Sequence, residues 1–206
     1  MQTTTHRTNG NTRTGHRSRA EYHLTRLELL KVVSSPRSLR DRTMLSLMAE
    51  TGLRRAEVVG LTIGDLRLSE YLAVVRGGKG GKSRLIPLTN SLVNMLQQII
   101  RSRMQGPVFV SRNGGGISSR QLSRIVEKAG IAADVRHPDP ARSRLNCHLF
   151  RHTFARLWKD AGGSIETLSS ILGHASQATT MDLYGREGLS DVRANYAKTM
   201  KEISIL

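Results

Sequence analysis

The sequence predicts a mainly α domain carrying one small antiparallel β-sheet, an α+β arrangement. Two patterns carry that expectation. Apolar residues recur at three- and four-residue spacing in segments that run from Leu24 to Ile203. The pattern changes after Gly60, where YLAVV and SRLIPL flank a connection made of Gly and Lys, in the manner of short paired strands.

Composition limits what the domain does. The chain has 206 residues, 38% of them hydrophobic, enough for one domain with a core. Lys and Arg number 32 against 16 Asp and Glu, a formal net charge of +16. Such an excess draws polyanions, with nucleic acid ahead of an anionic membrane. No apolar run approaches the roughly 18 residues of a spanning helix. The N-terminus lacks the apolar stretch of a signal peptide, so a cytoplasmic location is expected. The single cysteine, Cys147, excludes an internal disulfide and a thiolate-rich zinc site. Its neighbours Leu149 and Phe150 predict a buried, inert thiol.

Residues 1–20 hold almost no apolar side chain and read as a disordered basic tail. TRLELLKVV reads as a first amphipathic helix. A second is expected with Ser35 as N-cap and Pro36 at its first position, its apolar face made by Leu39, Met44, Leu47 and Met48, and Gly52 as its stop. RRAEVVGL opens a third. In the strand region Tyr71 reads as a strand aromatic, and Gly77 to Lys82 form a cationic connection. Residues 90–103 return to helix, PVFVSRNGGG reads as a short strand or extended piece with a loop, and 118–130 are helical with Gly130 as the end. Two prolines make DVRHPDPARSRLN a loop. Helices follow at 148–161 and 164–172, around 177–184, and at 188–202.

HLFRH concentrates the chemistry. On a helix His148, Arg151 and His152 share one face. Zinc is a poor match, because Leu149 stands where a general-base Glu belongs and Arg151 would set a full charge beside the metal. A guanidinium fork with imidazole donors suits phosphate oxygens. Leu149, Phe150, Phe154, Leu157 and Trp158 make the helix a buried one, so Arg151 needs a partner, and a ligand phosphate would serve. Further on, Gly173 ends an apolar helix, His174 follows at once, and a polar stretch leads to Tyr184. Upstream, Arg54 and Glu57 open a helix just after Gly52.

Together these stretches resemble the tyrosine recombinase, or phage integrase, family, in its catalytic domain. TGLRRAEVVGL is similar to the first arginine box, HLFRHTF to the H-x-x-R-H box, LGHASQATTMDLY to the box of the last histidine and the tyrosine, and GGKGGKSRLIPL to the hairpin that carries a lysine. The resemblance implies site-specific cleavage and rejoining of double-stranded DNA through a 3′-phosphotyrosine, without metal, nucleotide or other cofactor. It implies that Arg54 and Arg151 clamp the phosphate oxygens and that Tyr184 attacks. His148 takes the phenolic proton or holds the phosphate while water takes it. Lys79 protonates the departing 5′-oxygen, and His174 donates a hydrogen bond to the phosphate. Lys82 and Arg84 lie on the same hairpin, and side-chain chemistry alone does not separate Lys79 from Lys82. Lys82, Arg84 and Arg55 are expected to contact DNA. Glu57 is expected to orient an arginine and His152 to order the pocket. Tyr22, Tyr71 and Tyr196 are the other tyrosines, and Tyr196 reads as packing.

The family's additional N-terminal helical domain has no counterpart in residues 1–20, so residues 21–206 are expected to be a minimal recombinase or the catalytic part of a longer one. The terminal helix, with Val192, Tyr196 and Met200 at four-residue spacing, is expected to dock on a neighbouring copy and so build a homo-oligomer on DNA. A relaxing topoisomerase with the same chemistry and a non-catalytic DNA-binding module are the alternative functions.

Overall fold

The computed structural model describes residues 22–77, 83–173 and 188–203. The tail 1–20, the connection residues Lys79 and Lys82, the helical piece expected around 177–184, and with it His174 and Tyr184, lie outside the described residues.

Helix α1 (Arg26–Ser34) begins at a capping box: Thr25 accepts from the Glu28 amide, and Glu28 accepts from the Thr25 amide at 2.8 Å. It buries Leu29, Val32 and Val33. Ser35 is not the N-cap of the next helix. Its hydroxyl donates to the carbonyls of Val32 at 2.9 Å and Ala129 at 3.1 Å, which ends α1 and ties it to a later helix. The chain bends through Pro36, and α2 (Leu39–Thr51) starts after Ser38. From Thr43 to Thr51 every residue of α2 is buried, so this helix is the axis on which α1, α4 and α6 pack. Gly52 ends it in the left-handed region at φ 63°, and a Cβ there would stand 2.7 Å from Phe154 and Leu172. Helix α3 (Arg55–Gly60) follows at once.

The sheet has strand order β1-β2-β3, all antiparallel: β1 (Leu66–Arg67), β2 (Leu72–Val75) and β3 (Arg84–Pro87). Val75 pairs with Arg84 at the mouth of the Gly/Lys connection. Tyr71 is not a strand residue. Its amide is taken by the Leu68 carbonyl, so it closes a 3₁₀ turn at φ 57° just before the ladder begins, and its side chain is exposed.

Helix α4 (Asn90–Ile100) stops at Arg101, which has a positive φ of 54°. Residues 107–117 form a loop that turns back on itself at 112–115, where the Ser111 amide donates to the Gly115 carbonyl, with isolated bridges from Pro107 to Thr62 and from Val110 to Gly116. Helix α5 (Ser119–Ala132) runs through Gly130 rather than ending there. The glycine serves packing: a Cβ would stand 2.7 Å from Leu145. After the loop come α6 (Cys147–Asp160), α7 (Ile165–Leu172) and α8 (Leu189–Ile203). Helix α8 lies on its own chain against α6, α7 and β3, burying Val192, Tyr196, Met200 and Ile203. Among the described residues no helix is long and apolar enough to cross a membrane.

Among the buried acids, Glu50 lies deepest in this core. Glu50 on α2 is 1% exposed. The Thr89 hydroxyl, which also caps α4, donates to one of its oxygens at 2.6 Å, and the other oxygen has no hydrogen-bond partner among the described residues. Tyr196 donates to the Glu50 carbonyl at 3.3 Å and stacks on Trp158. Burial pushes the Glu50 carboxyl up to about 7, with the Thr89 bond opposing. Above that pH both folded and unfolded chains are ionised there and the residue destabilises fully. As pH falls through 7 the folded chain takes the proton first, so the penalty fades toward the ordinary carboxylate range. The stability of the wild type minus that of Glu50→Gln is therefore expected to rise by about 2–3 kcal/mol from pH 8 to pH 5, read by urea unfolding at each pH.

Candidate active site

The site is built where α2, α3, α6, α7 and β3 meet. Arg54 is the residue before α3, and its amide donates to Glu57 Oε2 at 2.7 Å. Arginine has no acceptor, so only this half of a capping box exists. The Arg54 side chain is 50% exposed, with one guanidinium contact to Glu57 Oε1 at 3.2 Å. Glu57 thus contacts the Arg54 guanidinium across their three-residue spacing. It also holds a second one. Arg84 from β3 reaches it with two parallel bonds, Nη1 to Oε1 at 2.8 Å and Nη2 to Oε2 at 2.9 Å, and donates through Nε to the Ile171 carbonyl at 2.8 Å. Burial pushes the Glu57 carboxyl up, but the bonds and charges of Arg84 and then Arg54 outweigh it and hold it below its ordinary value. Arg84, expected at a DNA surface, is 10% exposed and committed inside the protein.

Arg151 is 7% exposed. Two protein carbonyls, not a ligand alone, engage it: Nη1 donates to Gly52 O at 3.0 Å and Nη2 to Leu172 O at 2.8 Å. Both acceptors lie at helix C-termini closed by left-handed glycines, Gly52 after α2 and Gly173 after α7, where a cation opposes the helix dipole. Burial, then the Arg54 charge, lowers the Arg151 pKa to about 10, so it stays charged at neutral pH.

His148 and His152 stand in the first two turns of α6, capped by Asn146. Their rings meet edge to face, centroids 4.2 Å apart. His148 is exposed and His152 half-buried, with its pKa lowered by burial and then by the charges of His148 and Arg151. The sequence groups these two correctly on one face. It does not single out the cleft beside them, about 110 Å³, lined also by Tyr22, His137, Arg142 and Asn146. His137 accepts the Asp139 amide at Nδ1, and burial followed by the Arg142 charge lowers its pKa.

Arg55 is exposed and donates to Ser123 on α5 at 3.1 Å. Along α5, Arg120, Arg124 and Lys128 are exposed at four-residue spacing, a basic stripe that the sequence reading passes over although its period is legible. Cys147 is buried, and burial raises its thiol pKa, as expected of an inert cysteine.

Fold and cluster together define a catalytic domain of the tyrosine recombinase type. The chain belongs to the phage integrase family, whose model matches residues 24–187. It is 37% identical over 146 residues to tyrosine recombinase XerC of Pelobacter propionicus, covering 69% of this chain and 46% of that protein. Among solved structures it is similar to XerA recombinase, with TM-score 0.66, 27% identity, and coverage of 85% of this chain and 64% of the other. It shares the fold of XerH site-specific recombinase bound to difH substrate, with TM-score 0.62, 23% identity, and coverage of 85% and 53%. The chain spans about half the length of the curated relatives it matches.

Because Arg151 joins two helix ends, its loss affects the fold before any ligand is present. Arg151→Met is expected to destabilise the free protein by about 3 kcal/mol or more, from two lost charge-assisted bonds and two unsatisfied carbonyls, measured by denaturant unfolding without DNA.

Proposed function

We propose that this chain cuts and rejoins DNA strands in site-specific recombination, with residues 21–206 as the catalytic domain and residues 1–20 as a basic tail. The observation that carries the reading is the cationic cluster: a half-exposed Arg54 and a rigidly held Arg151 beside the exposed imidazole of His148, in a chain of this family. A phosphodiester becomes more negative on its non-bridging oxygens as a nucleophile adds, and fixed guanidinium donors favour that state over the starting one.

In the proposed reaction the Tyr184 phenol attacks phosphorus and gives up its proton to His148, directly or through water. The bond to O5′ breaks and Lys79 protonates the departing oxygen, with Lys82 the rival donor. His174 donates to the phosphate. The products are a 3′-phosphotyrosine and a free 5′-hydroxyl, and a second 5′-hydroxyl reverses the exchange on a new strand. One phosphodiester replaces another, so no nucleotide need be consumed. Arg55 and the α5 stripe Arg120, Arg124 and Lys128 are proposed to grip the duplex backbone. A homo-oligomer on DNA is proposed to form through α8, since the apolar seat filled by Val192, Tyr196, Met200 and Ile203 would accept the same helix from a neighbouring copy.

A pool of nicked duplexes tiling the DNA that flanks the chain's own coding sequence tests the reaction. The wild type is expected to form a covalent protein–DNA adduct with one of them. Tyr184→Phe is expected to bind the same duplex and form none; an adduct from the Phe variant removes Tyr184 as nucleophile. DNA affinity should fall with salt by ~0.9 log unit per log salt for each phosphate contacted, and alanines at Arg120, Arg124 and Lys128 should lower that slope by about 2–3. An unchanged slope removes the stripe from the interface.

A further inference from the structure

We infer that Arg84 is a positioning residue of the strand-transfer site, which spares the charge of Arg54 for the phosphate. The inference rests on the reading of Arg54 as a phosphate clamp. The carboxylate of Glu57 accepts from two guanidinium groups of unequal grip. Arg84 holds it with two parallel bonds, at 2.8 and 2.9 Å, and is itself fixed by a third bond to the Ile171 carbonyl and by lying flat on Gly173, where a Cβ would come within 3.0 Å of it. Arg54 touches the same carboxylate through one side-chain contact at 3.2 Å and is half exposed.

Charge and geometry follow from that inequality. A bidentate arginine–carboxylate pair is the stronger and more directional partner. With Arg84 in place the negative charge of Glu57 is already met, and Arg54 keeps a steering contact without being neutralised. Without Arg84, Glu57 would turn to Arg54 and form a closed pair, leaving that guanidinium bound and electrically cancelled. Arg84 also stands at the mouth of the hairpin, opposite Val75, and against the end of α7, so one side chain sets α3, β3 and α7 relative to one another. A plain structural staple would bring these elements together equally well, but would not depend on the charge of Glu57.

That dependence is the test. Single-turnover adduct formation is measured at saturating concentration of the nicked duplex that the wild type captures, with thermal unfolding of each variant alongside. Arg84→Met is expected to slow the adduct about 100-fold, the size of a lost transition-state donor. Adding Glu57→Gln to it should recover about 10-fold, because the unopposed carboxylate is gone; this is a coupling of opposite sign to independent damage. Arg84→Lys, which keeps the charge and loses the fork, should fold and stay within about 10-fold of wild type. A double variant no faster than Arg84→Met overturns the inference, as does Arg84→Met at wild-type rate. If Arg84→Met does not fold, a folded Arg84→Lys as slow as Arg54→Met overturns it instead. Absence of a wild-type adduct would remove the strand-transfer reading itself, and this inference with it, whereas a wild-type adduct indifferent to Arg84 removes the inference alone.

Discussion

A guanidinium buried between two helix ends sets the geometry on which everything else rests. Arg151 leaves the first turns of α6 and binds the terminal carbonyls of α2 and α7. Those carbonyls are available because Gly52 and Gly173 turn the chain away in the left-handed conformation that side chains resist. The residues that matter most then follow directly in the chain. Arg54 comes two residues after one glycine, and His174 immediately after the other. Close packing fixes the first junction again, since Gly52 lies against Phe154 of α6 and Leu172 of α7. The helix that supplies the charge therefore also supplies the wall.

Around that fixed cation the local balance of charge is uneven. Three arginines, Arg54, Arg84 and Arg151, feel one carboxylate, Glu57. Folding places like charges near one another, with Glu57 and the helix-end carbonyls as the protein's own counterweight. On the proposed reading an anionic ligand adds to that counterweight. Another buried acid, Asp65, is occupied elsewhere, taken by Thr62 and by Arg76 just after β2.

Helix periodicity and glycine stops made most of the architecture legible, including α2, α5, α6 and α7 and the single small antiparallel sheet. The failures have local causes. Ser35 followed by Pro36 has the composition of a helix start, yet the hydroxyl found carbonyls to donate to, one of them on a helix distant in sequence. Gly130 looked like a stop and is a contact, because its missing side chain admits Leu145. Tyr71 had strand chemistry and a turn's backbone. In the site, the grouping of His148, Arg151 and His152 was legible from helical spacing, and the Arg54–Glu57 pair from its three-residue interval. The partner of Glu57 was not, since Arg84 arrives from another strand and only the fold brings it there. The α5 stripe was readable and lay outside the motifs that drew attention.

The acid inside the core gives the last helix an ionic accompaniment. Tyr196 of α8 bonds the backbone carbonyl of Glu50, close to the buried carboxyl. Uncovering it returns an ordinary carboxyl to water, and between the ordinary carboxylate range and pH 7 such a group gives up its proton. Lifting α8 from its seat would therefore be a proton-releasing step in mildly acidic solution and a proton-neutral one above it. The helix is held more tightly as protons become more abundant, although it carries no part of the acid itself.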